Sequence, residues 1–146
     1  MQKLSMKGLK EKNVLVTGAT SGIGQAIAAS FASEGANVAL NYRGDISKLD
    51  DTKELMTEAC DQENSHTGKV LPVQGDMSEE ADIVQMCSAV ITKLGSIDIL
   101  INNAGVQTAS PSHELSTADF DRVMQVNLRG AYLCAREALK HFMQRW

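Results

Sequence analysis

The sequence predicts an α/β fold, a doubly wound parallel sheet of about four strands with helices on both faces. Short apolar runs alternate with amphipathic segments along the 146 residues, with no repeat and no low-complexity linker. Such alternation implies parallel strands joined by helical crossovers. The apolar runs are continuous, as in strands covered on both faces. The first run also ends in a glycine cluster where a helix should begin.

Asn13 to Thr17 reads as the first buried strand. Gly22 to Ser33 reads as a helix, with Ile23, Ile27, Ser30 and Phe31 at helical spacing and Gly35 stopping it. Asn37 to Tyr42 is the second strand. Ser47 to about Asn64 is a helix with Leu49, Leu55, Met56, Ala59 and Cys60 on one face. Lys69 to Gln74 is the third strand, which tolerates Pro72 only where its missing N–H is not needed in the ladder. Ser78 is expected to cap the next helix, with Glu79, Glu80 and Asp82 in the first turn, where the helix dipole favours acids. Ile83, Cys87, Val90, Ile91 and Leu94 form its apolar face. Ile97 to Ile101 is the fourth strand. Ser116 and Asp119 resemble a capping box, and a long helix runs on to about Phe142. Its expected buried stripe is Phe120, Met124, Asn127, Ala131, Ala135 and Leu139.

Composition narrows the function classes. Apolar residues are 43% and charged residues 22%, ordinary for a globular domain. A net charge of −4 with 4% aromatics argues against a nucleic-acid surface. No apolar run approaches the roughly 20 residues of a membrane span, and Met1 to Asn13 shows no secretory leader. Cys60, Cys87 and Cys134 are expected as buried thiols of a reducing, cytoplasmic compartment. His66, His113 and His141 have no metal or triad spacing and are expected at the surface, so no metal is predicted. The methionines are expected as core fillers.

Thr17-Gly18-Ala19-Thr20-Ser21-Gly22-Ile23-Gly24 joins the first strand to the first helix. Gly18 permits a sharp turn, Gly22 lets backbone approach a pyrophosphate, and Gly24 lets helix and strand pack closely. Thr20, Ser21 and Ile23 complete a turn whose helix N-terminus offers unpaired N–H groups to phosphate. A structural glycine turn is the plainer reading, but the strand before and the helix after favour a Rossmann-type dinucleotide site. An acid at the end of the second strand would select NAD, and an arginine NADP. Tyr42 and Arg43 stand there, with no carboxylate at the strand end, so NADP(H) is expected to be favoured and NAD(H) possible. Asp45 is near enough in sequence to weaken that preference.

The spacing Thr-Gly-x-x-x-Gly-x-Gly resembles the short-chain dehydrogenase/reductase family, and Asn102-Asn103-Ala104-Gly105 matches a second family motif after the fourth strand. Asn41-Tyr42-Arg43 and the stretch from Asn127 to Leu133 look most like the glucose 1-dehydrogenase branch. The resemblance implies a sheet of order 3-2-1-4, a dinucleotide site that includes Asn103, Ala104 and Gly105, and Asp76 hydrogen-bonded to adenine with Met77 packed nearby. An Asx-turn is the alternative for Asp76. Asn102 is expected to tie neighbouring strands together. Asn127 matches the Asn of the family's Asn-Ser-Tyr-Lys tetrad and should be satisfied by a specific partner.

The tetrad's other members are not found: Tyr42 is followed four residues on by Ile46, and Tyr132 by Arg136, so no Tyr-x-x-x-Lys occurs. The expectation is therefore an extension over 1–12 and a dinucleotide-binding domain over 13–146, incomplete at its C-terminus. It would belong to an oxidoreductase acting on an alcohol or sugar, with homo-oligomerisation through the last helix. The rival expectations are a non-catalytic dinucleotide-binding module and a poorly folding gene fragment with the fourth strand as an exposed apolar edge.

Overall fold

The computed structural model describes residues 8–63, 65 and 68–145. Its elements run β1 (Asn13–Val16), α1 (Gly22–Ser33), β2 (Asn37–Tyr42), a 3-10 turn (Ile46–Leu49), α2 (Asp50–Gln62), β3 (Val70–Gln74), α3 (Glu80–Leu94), β4 (Ile99–Ile101), α4 (Thr117–Met124), a π-helical turn (Gln125–Gly130) and α5 (Ala131–Gln144). The expected end of the second helix at Asn64, and His66, lie outside the described residues. The sheet is parallel with order β3-β2-β1-β4, as expected. Pro72 sits on the edge strand β3, where one side of the ladder has no partner among the described residues.

Burial shows why the central strands read as unbroken apolar runs. Val14, Val16, Val38 and Leu40 face α1 and α2, where Ala28, Ala32, Met56 and Cys60 cover them. Leu15, Ala39 and Val73 face the other way, against Ile83, Met86, Val90, Leu133 and Cys134. Successive strand residues thus enter two different cores. β4 is the other sheet edge, and its residues are only half-buried.

Several expected faces shift. α1 buries Gly24, Ala28 and Ala32, while Ile23 is 73% exposed. Small residues let this helix approach the sheet, so the larger apolar ones lie to the side. On α2 the buried set is Thr52, Met56 and Cys60, and Leu55 is exposed. Ser78 does not cap α3: Glu79 holds that position without a side-chain bond, because the Asp76 carboxylate takes both the Ser78 N–H (2.9 Å) and its hydroxyl (2.8 Å). Ser116 does cap α4, accepting from the Asp119 N–H at 3.1 Å.

The long last helix is broken by the π turn. Its buried residues are Val126, Gly130, Leu133, Cys134 and Ala138, and all but Leu133 lie one position before a member of the expected stripe. Phe120, Met124 and Leu139 are exposed, and Asn127 is too. Two apolar rows lie on this helix, and periodicity cannot say which row the core covers. Met56, Met77 and Met86 fill core, whereas Met124 and Met143 are exposed. His113 is exposed as expected, but His141 is half-buried with its Nε2 enclosed and unbonded among the described residues. All three cysteines are buried, and Cys87 and Cys134 meet at 4.0 Å between α3 and α5. No described helix is long and apolar enough to cross a membrane.

Asp98 knots the amino ends of β1 and β4. It accepts from the Asn13 N–H (2.9 Å), the Ser96 hydroxyl (3.2 Å) and Arg145 (2.6 Å). Burial works to raise its carboxyl, but the Asn13 N–H, the Arg145 guanidinium and Ser96 together hold it below the ordinary range. A depressed carboxylate contributes stability above its unfolded pKa and loses it as pH falls through its folded one. Asp98→Asn should cost about 1–3 kcal/mol at neutral pH. It should also flatten the loss of stability below about pH 4, as urea melts across that window would show.

Candidate functional site

At the carboxyl ends of the strands, β1 and β4 lie side by side while their following segments leave in opposite directions. The β1 segment leads into α1 on one face, and the β4 segment toward the α5 side. Such a switch point is where open α/β sheets bind ligands. A cavity of about 430 Å³ opens there, lined from the glycine turn, the end of β2, the Gly75–Met77 loop and the Asn103–Val106 segment.

Thr17, 1% exposed, builds the junction. Its hydroxyl donates to the Ile101 carbonyl (3.2 Å) and accepts from the Asn103 and Ala104 N–H groups (3.0 Å each). The Asn103 amide returns to the Thr17 and Gly18 carbonyls at 2.9 and 3.1 Å. Asn103 is thus the residue that joins the two strands. Asn102, expected to do so, instead donates to the Ala131 carbonyl of α5 at 3.2 Å, because its side chain leaves the opposite side of the strand end.

The glycines fit tight places. Gly18 has φ +64°, and a Cβ on it would lie 2.8 Å from the Ala104 Cα. A Cβ on Gly24 would collide with the Gly18 carbonyl oxygen and the Asn103 amide. Gly22, with φ +54°, faces open space, which leaves room for a ligand to meet backbone. α1 begins without a side-chain cap and without an acid in its first turn, so its N–H groups stay available to an anion.

Among the expected cofactor residues, Gly18, Thr20, Ser21, Gly22, Ile23, Tyr42, Arg43, Asp76, Met77, Asn103, Ala104 and Gly105 all line the one cavity. Gly24 lies behind the turn as packing. Arg43 Nη1 stands 3.5 Å from Asp76 Oδ2, across the cavity mouth. Burial works to raise the Asp76 carboxyl, yet the Ser78 N–H and hydroxyl and the Arg43 charge together hold it below the ordinary range. The Asx-turn weighed for Asp76 is present.

Asn127, expected on a buried stripe, is exposed and lies in the π turn. It is nonetheless satisfied: its Oδ1 accepts from the Val106 N–H and its Nδ2 donates to the Val106 carbonyl, both at 2.8 Å. It clamps the segment that follows the Asn-Asn-Ala-Gly motif. Widening at the π turn also sets Gly130 against the Met77 carbonyl, where a Cβ would not fit.

Sequence reading missed Asn41, 2% exposed in β2. Its Oδ1 accepts from the Gly18 N–H (3.1 Å) and its Nδ2 donates to the Gly75 carbonyl (3.0 Å), so one amide spans two cavity loops. An Asn set inside the apolar run of β2, away from the strand's first residue, was the available signal. Thr52 was missed as well: fully buried, it donates to the Ala19 carbonyl at 2.7 Å. Lys48 was the third omission. No group of three or more His, Cys, Asp or Glu suited to a metal occurs among the described residues.

A parallel sheet with a glycine-rich strand-to-helix turn at its switch point defines the Rossmann-type class. The family model described as short chain dehydrogenase matches residues 12–146, and the chain belongs to that family of nicotinamide-dinucleotide oxidoreductases. It is 38% identical over 137 residues to 3beta-hydroxysteroid dehydrogenase 1 of Eggerthella lenta, which covers 94% of this chain and 50% of the relative. It is 36% identical over 139 residues to glucose 1-dehydrogenase 2 of Bacillus subtilis, covering 94% and 51%. A solved short-chain dehydrogenase/reductase from Serratia marcescens superposes with a TM-score of 0.80 at 35% identity, covering 91% of this chain and 51% of that one. The chain spans about half the length of the relatives it matches.

Thr17→Val keeps shape but removes the hydroxyl, leaving the part-buried Ala104 N–H without that acceptor and the Asn103 N–H with the Ile101 carbonyl alone. It should cost about 1–3 kcal/mol, read by urea unfolding. A variant as stable as the parent would contradict the role given to this junction.

Proposed function

We propose that these residues form the cofactor-holding part of an NAD(P)-dependent short-chain oxidoreductase. The enzyme would interconvert an alcohol or sugar with its carbonyl or lactone, glucose being a candidate substrate, and would favour NADP(H) over NAD(H). The observation that carries this reading is the fit of the glycine turn. Gly24 and Gly18 have no room for a side chain, Gly22 faces open space, and uncapped N–H groups lie beside it.

Each residue's part follows from its place. The α1 N-terminus and the Thr20–Gly22 backbone would hold the pyrophosphate. Asp76 would accept from the adenine amino group with Met77 beneath it, and Arg43 would meet a 2′-phosphate. Asn103 to Gly105 would wall the nicotinamide end. When bound, the nicotinamide supplies the hydride donor or acceptor. Asn127 acts as a positioning residue through its clamp on Val106. Proton transfer in this family resembles the work of a Tyr with a Lys four residues on, and no such pair occurs in these 146 residues. These residues alone would then bind without turning over. That also supports the second reading, a non-catalytic dinucleotide-binding module.

The exposed row Phe120, Met124, Leu128 and Tyr132 supports association between copies of the chain through the last helix. The buried thiols support a reducing, cytoplasmic setting.

Three experiments check this. NADPH fluorescence titration should show saturable binding, with glucose oxidation by NADP at least a hundredfold below a complete enzyme, on the order of a lost acid–base group. Arg43→Ala should weaken NADPH about tenfold and leave NADH nearly unchanged; retained NADPH affinity would remove Arg43 from the assignment. Sedimentation velocity should show a concentration-dependent dimer that Leu128→Lys dissociates, and a parent chain monomeric throughout would defeat the association face.

A further inference from the structure

Resting on the dinucleotide reading above, we infer that Lys48 supplies the second cation for the adenosine 2′-phosphate and is a determinant of the preference for NADP(H). Lys48 lies on the 3-10 turn after β2 and lines the same cavity as Arg43, Gly22 and Asp76. Its position is built. Leu49, next in sequence, is fully buried in the core that β1 and β2 share with α1 and α2. Thr52 ties the same segment to the Ala19 carbonyl of the glycine turn at 2.7 Å. At the other end, Asp45 Oδ1 accepts from the Ser47 N–H at 2.9 Å and starts the turn. The segment is therefore pinned to the phosphate loop, and Lys48 is carried with it.

Charge accounting separates the two cations. Arg43 is already opposed by Asp76 at 3.5 Å, so a phosphate must share it with that carboxylate. Lys48 forms no ion pair within 4 Å among the described residues, although the Asp45 carboxylate feels its charge. One of the Asp45 oxygens is taken by the Ser47 N–H. A dianionic phosphate monoester exceeds what one shared guanidinium can balance, and Lys48 is the remaining cation on the cavity wall. An NAD ribose with a plain 2′-hydroxyl offers Lys48 no charge, so its effect falls on NADP alone.

The test measures NADPH and NADH affinities of the 146-residue chain, its Lys48→Gln and Lys48→Arg variants, and competition by adenosine 2′,5′-bisphosphate against adenosine 5′-monophosphate. Lys48→Gln should weaken NADPH and the bisphosphate about five- to tenfold, leave NADH and the monophosphate unchanged, and reduce the salt dependence of NADPH binding. Lys48→Arg should restore most of the loss. Equal weakening of both cofactors, or no change with Lys48→Gln while the parent still prefers NADPH, overturns the inference and leaves the dinucleotide reading standing. A folded parent that binds neither cofactor overturns the dinucleotide reading, and this inference with it.

Discussion

The Thr17 hydroxyl and the Asn103 amide hold together the point on which the site depends. β1 and β4 are adjacent parallel strands whose continuations diverge, and divergence opens unpaired backbone. Thr17 and Asn103 close it with side chains, bonding the Ile101, Thr17 and Gly18 carbonyls and the Asn103 and Ala104 N–H groups. The cavity lies over this seam. If it loosened, Gly24 and Gly18 would lose the contacts that exclude a side chain, and the start of α1 would no longer face a defined space.

Single amides reinforce the seam from either side. Asn41 links the glycine turn to the loop after β3, and Asn127 locks Val106 from the π turn. Each uses the donor and the acceptor of one side chain to order a loop that has no sheet partner. An irregular loop near a ligand must satisfy its backbone without strands, and Asn offers both functions on a short stem. The π turn belongs to the same economy of space: Gly130 sits where the Met77 carbonyl leaves no room for more.

Charge at the end of β2 is balanced rather than simply basic. Arg43 and Asp76 oppose one another over a cavity whose opposite lip carries the uncapped start of α1. That arrangement holds a guanidinium in place at the cavity mouth, and under the proposed reading a 2′-phosphate would compete for it with the carboxylate.

Much of this was legible in sequence. The unbroken apolar strands and the glycine spacing determined the fold class and the strand-to-helix turn, because backbone sterics and two-sided burial leave few residue choices there, while the strand order followed from the family resemblance that the glycine spacing and the Asn-Asn-Ala-Gly motif carry. Tertiary structure decided which apolar row of a helix is covered. Phe120 and Leu128 lie outside while Val126 and Cys134 lie within, since both rows satisfy the same period and only the neighbouring α3 selects between them. It also decided partners: Ser78 was drawn to Asp76 instead of α3, Asn102 to α5, and Lys48 to the cavity. A hydrogen bond depends on where two chain segments meet, and residues far apart in sequence meet only when the sheet has formed.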